Sequence, residues 1–370
     1  MHAWIQTVVD VLIVVMSSIL LLFTLGLIVL HVITTSNSKR VEKIKQRILR
    51  MLSVSQDLEY LRGQIYQVLD PDSPLKSLRE IRGISSARGT VAMTIVVEEV
   101  SDEQRELLRS IILRDEWYRE HIRKTLRSRN YDLAGVFTKL IAELKLPGFE
   151  QEVLANLYRW PKRADNQEIG LLALFMCGCG ELLIRLFSDP AFHLILSFRS
   201  LQELFACYSG DHETLFRELL ALPCDQYVIR ACIRGIGTER LESLCETILP
   251  YLQGDHTNLL IDTVRTLGLL RYAPAAESIR AHTAHPVWSV RSAAATALAQ
   301  IAPDDCREDL LRCLCDREWW VRFHAAEALC TIPGRETLLE DAEALNDRFA
   351  FEMTRYILER NRLLGGEVSA

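Results

Sequence analysis

The chain has 370 residues, with 43 lysines and arginines against 49 aspartates and glutamates, and a formal net charge of −6. The acidic excess is greatest at the carboxyl end, where residues 301–370 hold 9 basic and 15 acidic side chains. Because nucleic-acid backbones are anionic, this charge disfavours nucleic acid as a partner.

The amino-terminal region contains a long uncharged segment. Residues Val11 to Ile33 include no lysine, arginine, aspartate or glutamate over 23 positions. At about 1.5 Å per residue they span roughly 34 Å as a helix, enough to cross a hydrocarbon core of about 30 Å. A cleaved signal peptide is disfavoured, because no lysine or arginine precedes the segment and no Ala-x-Ala-like site follows it. We therefore expect a single transmembrane anchor within residues 1–34.

Six cations follow this segment directly, giving residues 39–50 a net charge of +5: Lys39, Arg40, Lys43, Lys45, Arg47 and Arg50. By the positive-inside rule, the N-terminus lies outside and the remainder of the chain lies in the cytoplasm, at the inner surface of a bacterial plasma membrane. An apolar stripe of Val41, Ile44, Ile48 and Leu52 accompanies the cations. The stretch can lie on anionic lipid, or it can be a solvated flank that leads into the first bundle helix.

Residues 35–100 therefore form a juxtamembrane basic helix and a connecting segment. Within it, Thr90 to Val100 is a valine- and isoleucine-rich run that fits either a strand or a buried helix. Ser101 followed by Gln104 predicts a helix start with a capping box. Residues 101–224 are interpreted as degenerate helical repeats, broken at Pro147, Pro161 and Pro190.

From about residue 225 the sequence repeats with a period of 31. The clearest copies are Val290 to Leu298 and Val321 to Leu329, with weaker copies 31 and 62 residues earlier. A fixed period of this size indicates stacked helical units that share their cores with their neighbours.

Within one copy, Val290, Ala294, Ala297 and Leu298 fall on one face of a helix, which excludes a strand. Each unit is predicted to consist of helix A, a turn and helix B, with Ile248, Ile279 and Leu310 at equivalent positions of the A helices. A second set of equivalent positions holds only small residues, which predicts close helix packing: Gly235, Thr266, Ala297 and Ala328.

The string Asp-x-x-x-x-Val-Arg-x-x-Ala-Ala-x-Ala-Leu, from Asp316 to Leu329, resembles the HEAT repeat, in the short subtype also seen in phycobilisome lyases. The resemblance implies that the B helices line a concave face and that Arg291 and Arg322 tie adjacent units together. The last unit departs from the pattern, since Glu352 and Met353 replace Val-Arg. We expect residues 225–363 to end in a cap with a polar outer face, followed by a frayed tail over 364–370.

No pattern of residues predicts an enzyme, a cofactor or a catalytic site, because zinc-protease, phosphate-loop and nucleophile-elbow motifs are all missing from the sequence. All ten cysteines follow residue 176, on the expected cytoplasmic side, where thiols stay reduced. Cys313 with His282 and His285 is a conceivable zinc set. The ligand spacing of known zinc sites is lacking, so we expect no metal.

Two surfaces are candidates for binding a partner. Arg230, Arg234 and Arg265 cluster on the B helices and form a basic patch for an acidic protein segment, unless they pair within the chain. Trp288, Trp319 and Trp320 begin successive B helices and form either a protein-binding ridge or the seal between units.

These features predict an all-α fold of the armadillo type: one transmembrane helix followed by an α-solenoid. The predicted function is a membrane-tethered scaffold that binds a protein, itself membrane-associated. By analogy with some bacterial membrane proteins that carry HEAT repeats, the partner is an envelope or polysaccharide-synthesis enzyme. The alternative is a lyase-like protein that holds a small ligand in its concave cavity.

Overall fold

The computed structural model describes residues 38–50, residue 52 and residues 87–366. Every regular element within these ranges is a helix, and none is a strand. The chain divides into two compact units between Cys177 and Gly178. This boundary lies inside the region that the sequence assigns to one run of degenerate repeats.

The first unit begins with a helical segment over residues 38–50. Six helices follow: α1 (Ala87–Glu99), α2 (Asp102–Arg114), α3 (Glu116–Arg127), α4 (Tyr131–Leu144), α5 (Glu150–Arg159) and α6 (Ala164–Met176). Helix α4 packs against α1 on one side and α6 on the other. The run from Thr90 to Val100 is therefore helical, which resolves the ambiguity between strand and helix.

Local sequence signals set the helix boundaries of this unit. Ser101 accepts from the Gln104 backbone N–H, and the Gln104 side chain accepts from the Ser101 N–H, so the predicted capping box is confirmed. Asp115 ends α2 and caps α3, which divides the long helical run into two. Asn130 caps α4 in the same way.

The apolar stripe of the basic segment lies inside the protein. Ile44, Ile48 and Leu52 are buried, and Lys45 Nζ lies 2.5 Å from Glu99 Oε2 of α1. The stripe is thus used for packing, as in the second interpretation of this stretch. An isolated amphipathic helix lying on lipid would need the same side chains at its surface.

The second unit contains twelve helices: α7 (Gly180–Phe187), α8 (Phe198–Ala206), α9 (His212–Leu220), α10 (Gln226–Thr238), α11 (Cys245–Ile248), α12 (Thr257–Leu269), α13 (Ala276–His282), α14 (Trp288–Ile301), α15 (Arg307–Leu314), α16 (Trp319–Leu329), α17 (Leu338–Ala344) and α18 (Arg348–Gly366). Short 3₁₀ turns flank several of the A helices. Pro250 lies in one such turn, and Pro286, Pro303 and Pro333 lie between helices, where an absent N–H costs nothing.

The predicted period is confirmed by the helix starts. Helices α10, α12, α14 and α16 begin at Gln226, Thr257, Trp288 and Trp319, each 31 residues after the last. These B helices form one row with α8 and α18, in which each member packs against the next. The A helices α9, α13, α15 and α17 each pack against the B helix that follows them. Their predicted core residues Ile248, Ile279 and Leu310 are fully buried.

The small residues of the B row allow the close approach that the sequence predicts. A Cβ atom added at Gly235 would lie 2.5 Å from Phe216 Cζ, and one added at Gly268 would lie 2.7 Å from Ala297 Cβ. Thr266 uses the same proximity to donate its hydroxyl to the Ile233 carbonyl of the preceding B helix, at 3.0 Å. These contacts explain why larger side chains are absent there.

Arg291 ties two units together, as its resemblance to the family arginine implies. Its Nε and Nη2 donate to the Asp316 carboxylate at 2.6 and 2.8 Å, and Nη1 donates to the His285 and Pro286 carbonyls. Fork-shaped pairing of this kind fixes both orientation and distance.

Arg322 departs from this arrangement. It donates to the Asp316 and Arg317 carbonyls but not to Asp347, which instead accepts from the backbone N–H groups of Phe349 and Ala350. The Arg322 Nε is buried with no acceptor among the described residues. The inter-unit tie is therefore made by Arg291 and is not repeated in full at the next unit.

The last B helix differs from the predicted cap. Helix α18 begins 29 residues after α16 and continues to Gly366, so the helix includes part of the predicted tail. Its exposed side chains include Phe349, Tyr356 and Leu363, spaced by seven residues, which gives the outer face an apolar stripe rather than a purely polar surface. Residues 367–370 lie outside the described part of the chain.

The predicted transmembrane segment, Val11 to Ile33, also lies outside the described residues. Among the helices that the structure describes, none combines the length and apolar character needed to cross a bilayer.

Candidate interaction surface of the repeat helices

Two of the three predicted patch arginines are held by one buried carboxylate. Arg230 Nε donates to Asp262 Oδ2 at 2.7 Å, and Arg234 Nε donates to Asp262 Oδ1 at 2.8 Å. The Asp262 side chain is 1% exposed, and those of Arg230 and Arg234 are 11% and 38% exposed. Both arginines belong to α10 and the acid to α12, so the pair is formed between adjacent B helices.

An aromatic ring completes this arrangement. The guanidinium carbons of Arg230 and Arg234 lie 4.1 and 5.0 Å from the Phe198 ring centroid of α8, within cation–π range. Arg234 Nη1 also donates to Gln202 at 3.2 Å. Arg230 and Arg234 therefore stabilise the row α8–α10–α12, and this intramolecular pairing reduces the free charge of the patch.

Arg265 is different, because it is exposed and has no hydrogen bond or ion pair with any residue in the described ranges. It is the member of the predicted patch whose whole charge is available to a partner.

Sequence reasoning missed Asp262, although a signal was present. Asp262 stands inside the apolar run Leu259 to Val264, and an ionised side chain in such a run needs a partner. The two arginines 28 and 32 residues earlier fit the distance between equivalent faces of adjacent units.

The N-terminal half of α16 carries a contiguous cluster of rings, which we call the aromatic cluster: Trp319, Trp320, Phe323 and His324. The Trp319 ring lies edge-on to Trp320 at 4.7 Å and stacks on Phe323 at 5.0 Å. Trp320 stacks in turn on His324 at 6.1 Å. Neighbouring turns of one helix bring these side chains together, since positions three and four apart share a face.

The tryptophans of the cluster remain at the surface. Trp319 and Trp320 are 44% and 51% exposed, and Trp288, at the equivalent position of α14, is 42% exposed. Packing between units, the commoner role for such residues, therefore leaves about half of each ring in contact with solvent. Trp288 makes no ring contact with the part of the chain that the structure describes, so it is separate from the aromatic cluster.

Charged groups border the aromatic cluster and hold it in place. Glu327 Oε1 accepts from Arg360 at 2.6 Å, and Glu327 Oε2 lies 3.1 Å from His324 Nδ1. The Arg360 guanidinium also lies 5.1 Å from the Phe323 ring centroid. Since a carboxylate only accepts hydrogen bonds, His324 carries a proton on Nδ1 here. This network links α16 to α18 and fixes the His324 ring.

A groove of about 490 Å³ adjoins this network. Its lining comes mainly from α14 and α16: Arg271, Thr296, Ala299, Gln300, Pro303, His324, Glu327, Ala328 and Thr331. The mixture of a small apolar surface with amide, hydroxyl, imidazole and charged groups is typical of a site for a polar ligand or peptide.

The exposed residues of the basic segment lie far along the chain from these features, in the first unit. Lys39, Arg40 and Lys43 are exposed, as are Arg47 and Arg50, while Lys45 is partly covered by its ion pair with Glu99. Five of the six predicted membrane-facing cations are thus placed where an anionic surface can reach them.

The thiols and histidines considered as metal ligands serve structural roles. No group of three or more histidine, cysteine, aspartate or glutamate side chains is arranged to hold a metal among the described residues. His282 donates to the Leu252 carbonyl at 3.0 Å, and His285 accepts from the Val287 N–H. Burial raises the pKa of the Cys313 thiol to about 12, which keeps it protonated and unsuited to bind zinc.

Comparison with known proteins supports the repeat assignment. The family of HEAT repeats matches residues 278–350, the region that contains α14, α16 and their A helices. No curated protein matches the chain.

Among solved structures, the complex of CpcE and CpcF of the phycocyanin lyase from Nostoc sp. PCC7120 is similar. The alignment covers 64% of this chain and 92% of that chain, at 17% identity and a TM-score of 0.25. At this level the likeness carries no argument about activity. The chain is therefore identified as an all-helical protein with HEAT repeats over residues 278–350.

Proposed function

We propose that this protein is a scaffold that binds another protein through the B row, with the aromatic cluster of α16 as the centre of the contact. The observation that supports this proposal is the exposure of Trp319 and Trp320, which are ordered by ring contacts and by the Glu327 network. Tryptophan is the residue most enriched at the energetic centres of protein interfaces.

The rigidity of the cluster favours this function. Free rotamers would lose entropy on binding, at about 0.5–1.5 kcal/mol for each immobilised side chain. Trp319, Trp320 and Phe323 already restrict one another, so the entropic penalty is reduced. Arg265 adds a positive charge on the same row of helices, for an acidic residue of the partner.

The tether is part of the proposal. Residues 11–33 would anchor the chain in the inner membrane, with both helical units in the cytoplasm and a membrane-associated partner held close to them. The proposed partner class is an enzyme of envelope or polysaccharide synthesis, and no catalytic role is proposed for the chain itself. Membrane fractionation of the full chain and of a variant lacking residues 1–34 tests the tether, because only the full chain should sediment with membranes.

The partner is tested by crosslinking in native membranes followed by mass spectrometry. Trp319→Ala combined with Trp320→Ala should abolish recovery of the partner and leave the circular dichroism spectrum unchanged. Tyr158→Ala is the matched control, since Tyr158 is also an exposed aromatic residue but lies in the first unit. Equal recovery from all three proteins would reject the aromatic cluster as the binding site.

Arg265→Glu tests the basic contribution. Arg265 has no intramolecular partner among the described residues, so its reversal leaves the fold intact. Arg234→Glu is a poorer test because it also breaks the contact with Asp262. A partner that binds the Arg265→Glu variant as well as the original chain would exclude an acidic segment at this position.

A second candidate function, binding of a small polar ligand, is favoured by the groove beside Glu327. Its volume of about 490 Å³ falls within the range of small-molecule sites. Native mass spectrometry of the purified chain distinguishes the two functions: a bound metabolite or pigment supports this candidate, whereas a stoichiometric protein supports the scaffold.

A further inference from the structure

The first unit contains a groove that the scaffold function does not use. Helices α1, α4 and α6 surround an open cavity of about 420 Å³, within the range of small-molecule sites. Most of its lining is apolar, and Val91, Ile95, Val136 and Ile169 contribute the aliphatic side chains. Val91 is more than one-third exposed, which is unusual for the inner face of a helical layer.

A glycine in the middle of α4 keeps this groove open. Glycine in a helix interior is destabilising by roughly 0.5–1 kcal/mol relative to alanine, so its presence needs a reason. At Gly170 and Gly235 the reason is packing, because an added Cβ would lie 2.7 Å from Leu157 or 2.5 Å from Phe216. At Gly135 an added Cβ would meet no atom within 4 Å. Internal packing therefore does not require Gly135, whereas a ligand in the groove would.

The charges at the groove select the kind of ligand. Three carboxylates and one amine line it, and two of the carboxylates are already neutralised. Glu98 accepts from Lys139 at 2.5 Å, and Arg163 Nε lies 3.5 Å from Asp165 Oδ1. The third carboxylate, Asp132, has no hydrogen bond or ion pair with any residue in the described part of the chain.

The neighbours of Asp132 keep its charge uncompensated. A hydrogen bond from the Tyr131 hydroxyl, together with Arg163, holds the pKa of Asp165 below its ordinary value, although burial opposes this shift. The Arg163 guanidinium lies 4.2 Å from the Tyr131 ring centroid and is thus already engaged. A ligand with a positive group at Asp132 is favoured, and a ligand with a negative group there is repelled.

We propose that this groove binds a hydrophobic molecule that carries one positive charge, of the class of lipophilic amines. The apolar body lies against Gly135, Val136 and Ile169, and the ammonium group lies at Asp132. The proposal does not depend on the partner-binding function of the second unit.

Isothermal titration of the full chain in lipid nanodiscs tests the proposal, with empty nanodiscs as the blank. The probes are 1-adamantylamine and 1-adamantanecarboxylate, which share one apolar cage and differ in charge. The amine should bind at least about tenfold more tightly than the carboxylate, a difference of roughly 1.4 kcal/mol. Equal affinity for the two probes, or no binding of the amine, overturns the proposal.

Two variants locate the site. Gly135→Leu should fill the groove and abolish amine binding, and its unfolding temperature should stay unchanged or rise, because leucine favours a helix more than glycine does. Asp132→Asn changes no packing and should weaken amine binding by about fivefold, as expected for a partly exposed ion pair. Glu168→Gln is the matched charge control, since Glu168 is exposed on α6 but does not line the groove. Amine binding that survives both groove variants overturns the assignment, even if the amine binds elsewhere on the chain.

Discussion

The ion pair between Arg291 and Asp316 should be the strongest single polar contact between two repeat units, and Arg291→Met removes it. The methionine keeps much of the apolar stem but removes the donors to the Asp316 carboxylate and to the His285 and Pro286 carbonyls. The Arg291 and Asp316 side chains are 8% and 13% exposed, so water replaces these contacts poorly.

Breaking a buried pair by removing one partner destabilises a protein by about 3–5 kcal/mol, because the other charge stays buried. The Asp316 carboxylate retains the Glu318 N–H and slight solvent access, which places the expected loss near the lower limit, at about 3 kcal/mol. Because each repeat contacts only its neighbours, this loss should be local to α14 and α16 rather than spread over the chain.

Hydrogen exchange measured by mass spectrometry is the appropriate assay, since the chain has two units and one global unfolding energy is poorly defined. A loss of about 3 kcal/mol should accelerate exchange of the most protected amides in α14 and α16 by roughly 150-fold. Arg348→Met is the control, because Arg348 pairs with Glu352 on the surface and such pairs contribute about 0–1 kcal/mol. Acceleration below tenfold at Arg291→Met, or the same acceleration in both variants, would refute the reasoning.

Three further outcomes follow from the described contacts. Gly235→Ala should destabilise the second unit by about 1–3 kcal/mol in urea unfolding, because the new methyl group meets Phe216, and unchanged stability would mean that the helices can separate freely. Gly135→Ala, which meets no neighbour, should instead stabilise the first unit by about 0.5–1 kcal/mol in the same assay, and a loss would contradict the open space assigned there. Burial lowers the pKa of His282, although its bond to the Leu252 carbonyl opposes the shift, so its neutral form is favoured in the folded state. The second unit should therefore lose stability as pH falls below about 6.5, the ordinary histidine pKa, and His282→Gln should reduce this slope; parallel pH profiles for the two proteins would show that another group is responsible.

The helical repeat could be predicted from the sequence because its physical cause is periodic. Val290, Ala294 and Ala297 place apolar atoms on one side of a helix, and the same spacing recurs at Val321, Ala325 and Ala328. Helix caps are similarly local, so the start at Ser101 was predictable from residues three positions apart. Arg291 was also assigned correctly, through the resemblance of its motif.

Contacts between distant residues were decided by the tertiary structure alone. The predicted basic patch lost much of its free charge because Asp262 lies between Arg230 and Arg234, a juxtaposition that depends on how α10 and α12 cross. The period is also silent on α18, which starts after 29 residues and leaves Tyr356 exposed. A one-dimensional pattern does not specify the rotation of a terminal helix that has no following unit to pack against.

The sequence by itself determined that the chain repeats, that the repeat is helical and which residues form its core, because hydrophobic periodicity acts along the chain. Which polar groups satisfy one another, and which therefore remain for a partner or a ligand, was decided only by packing. Electrostatic pairing depends on distances of a few ångströms between residues about thirty positions apart, and those distances exist only in the folded protein.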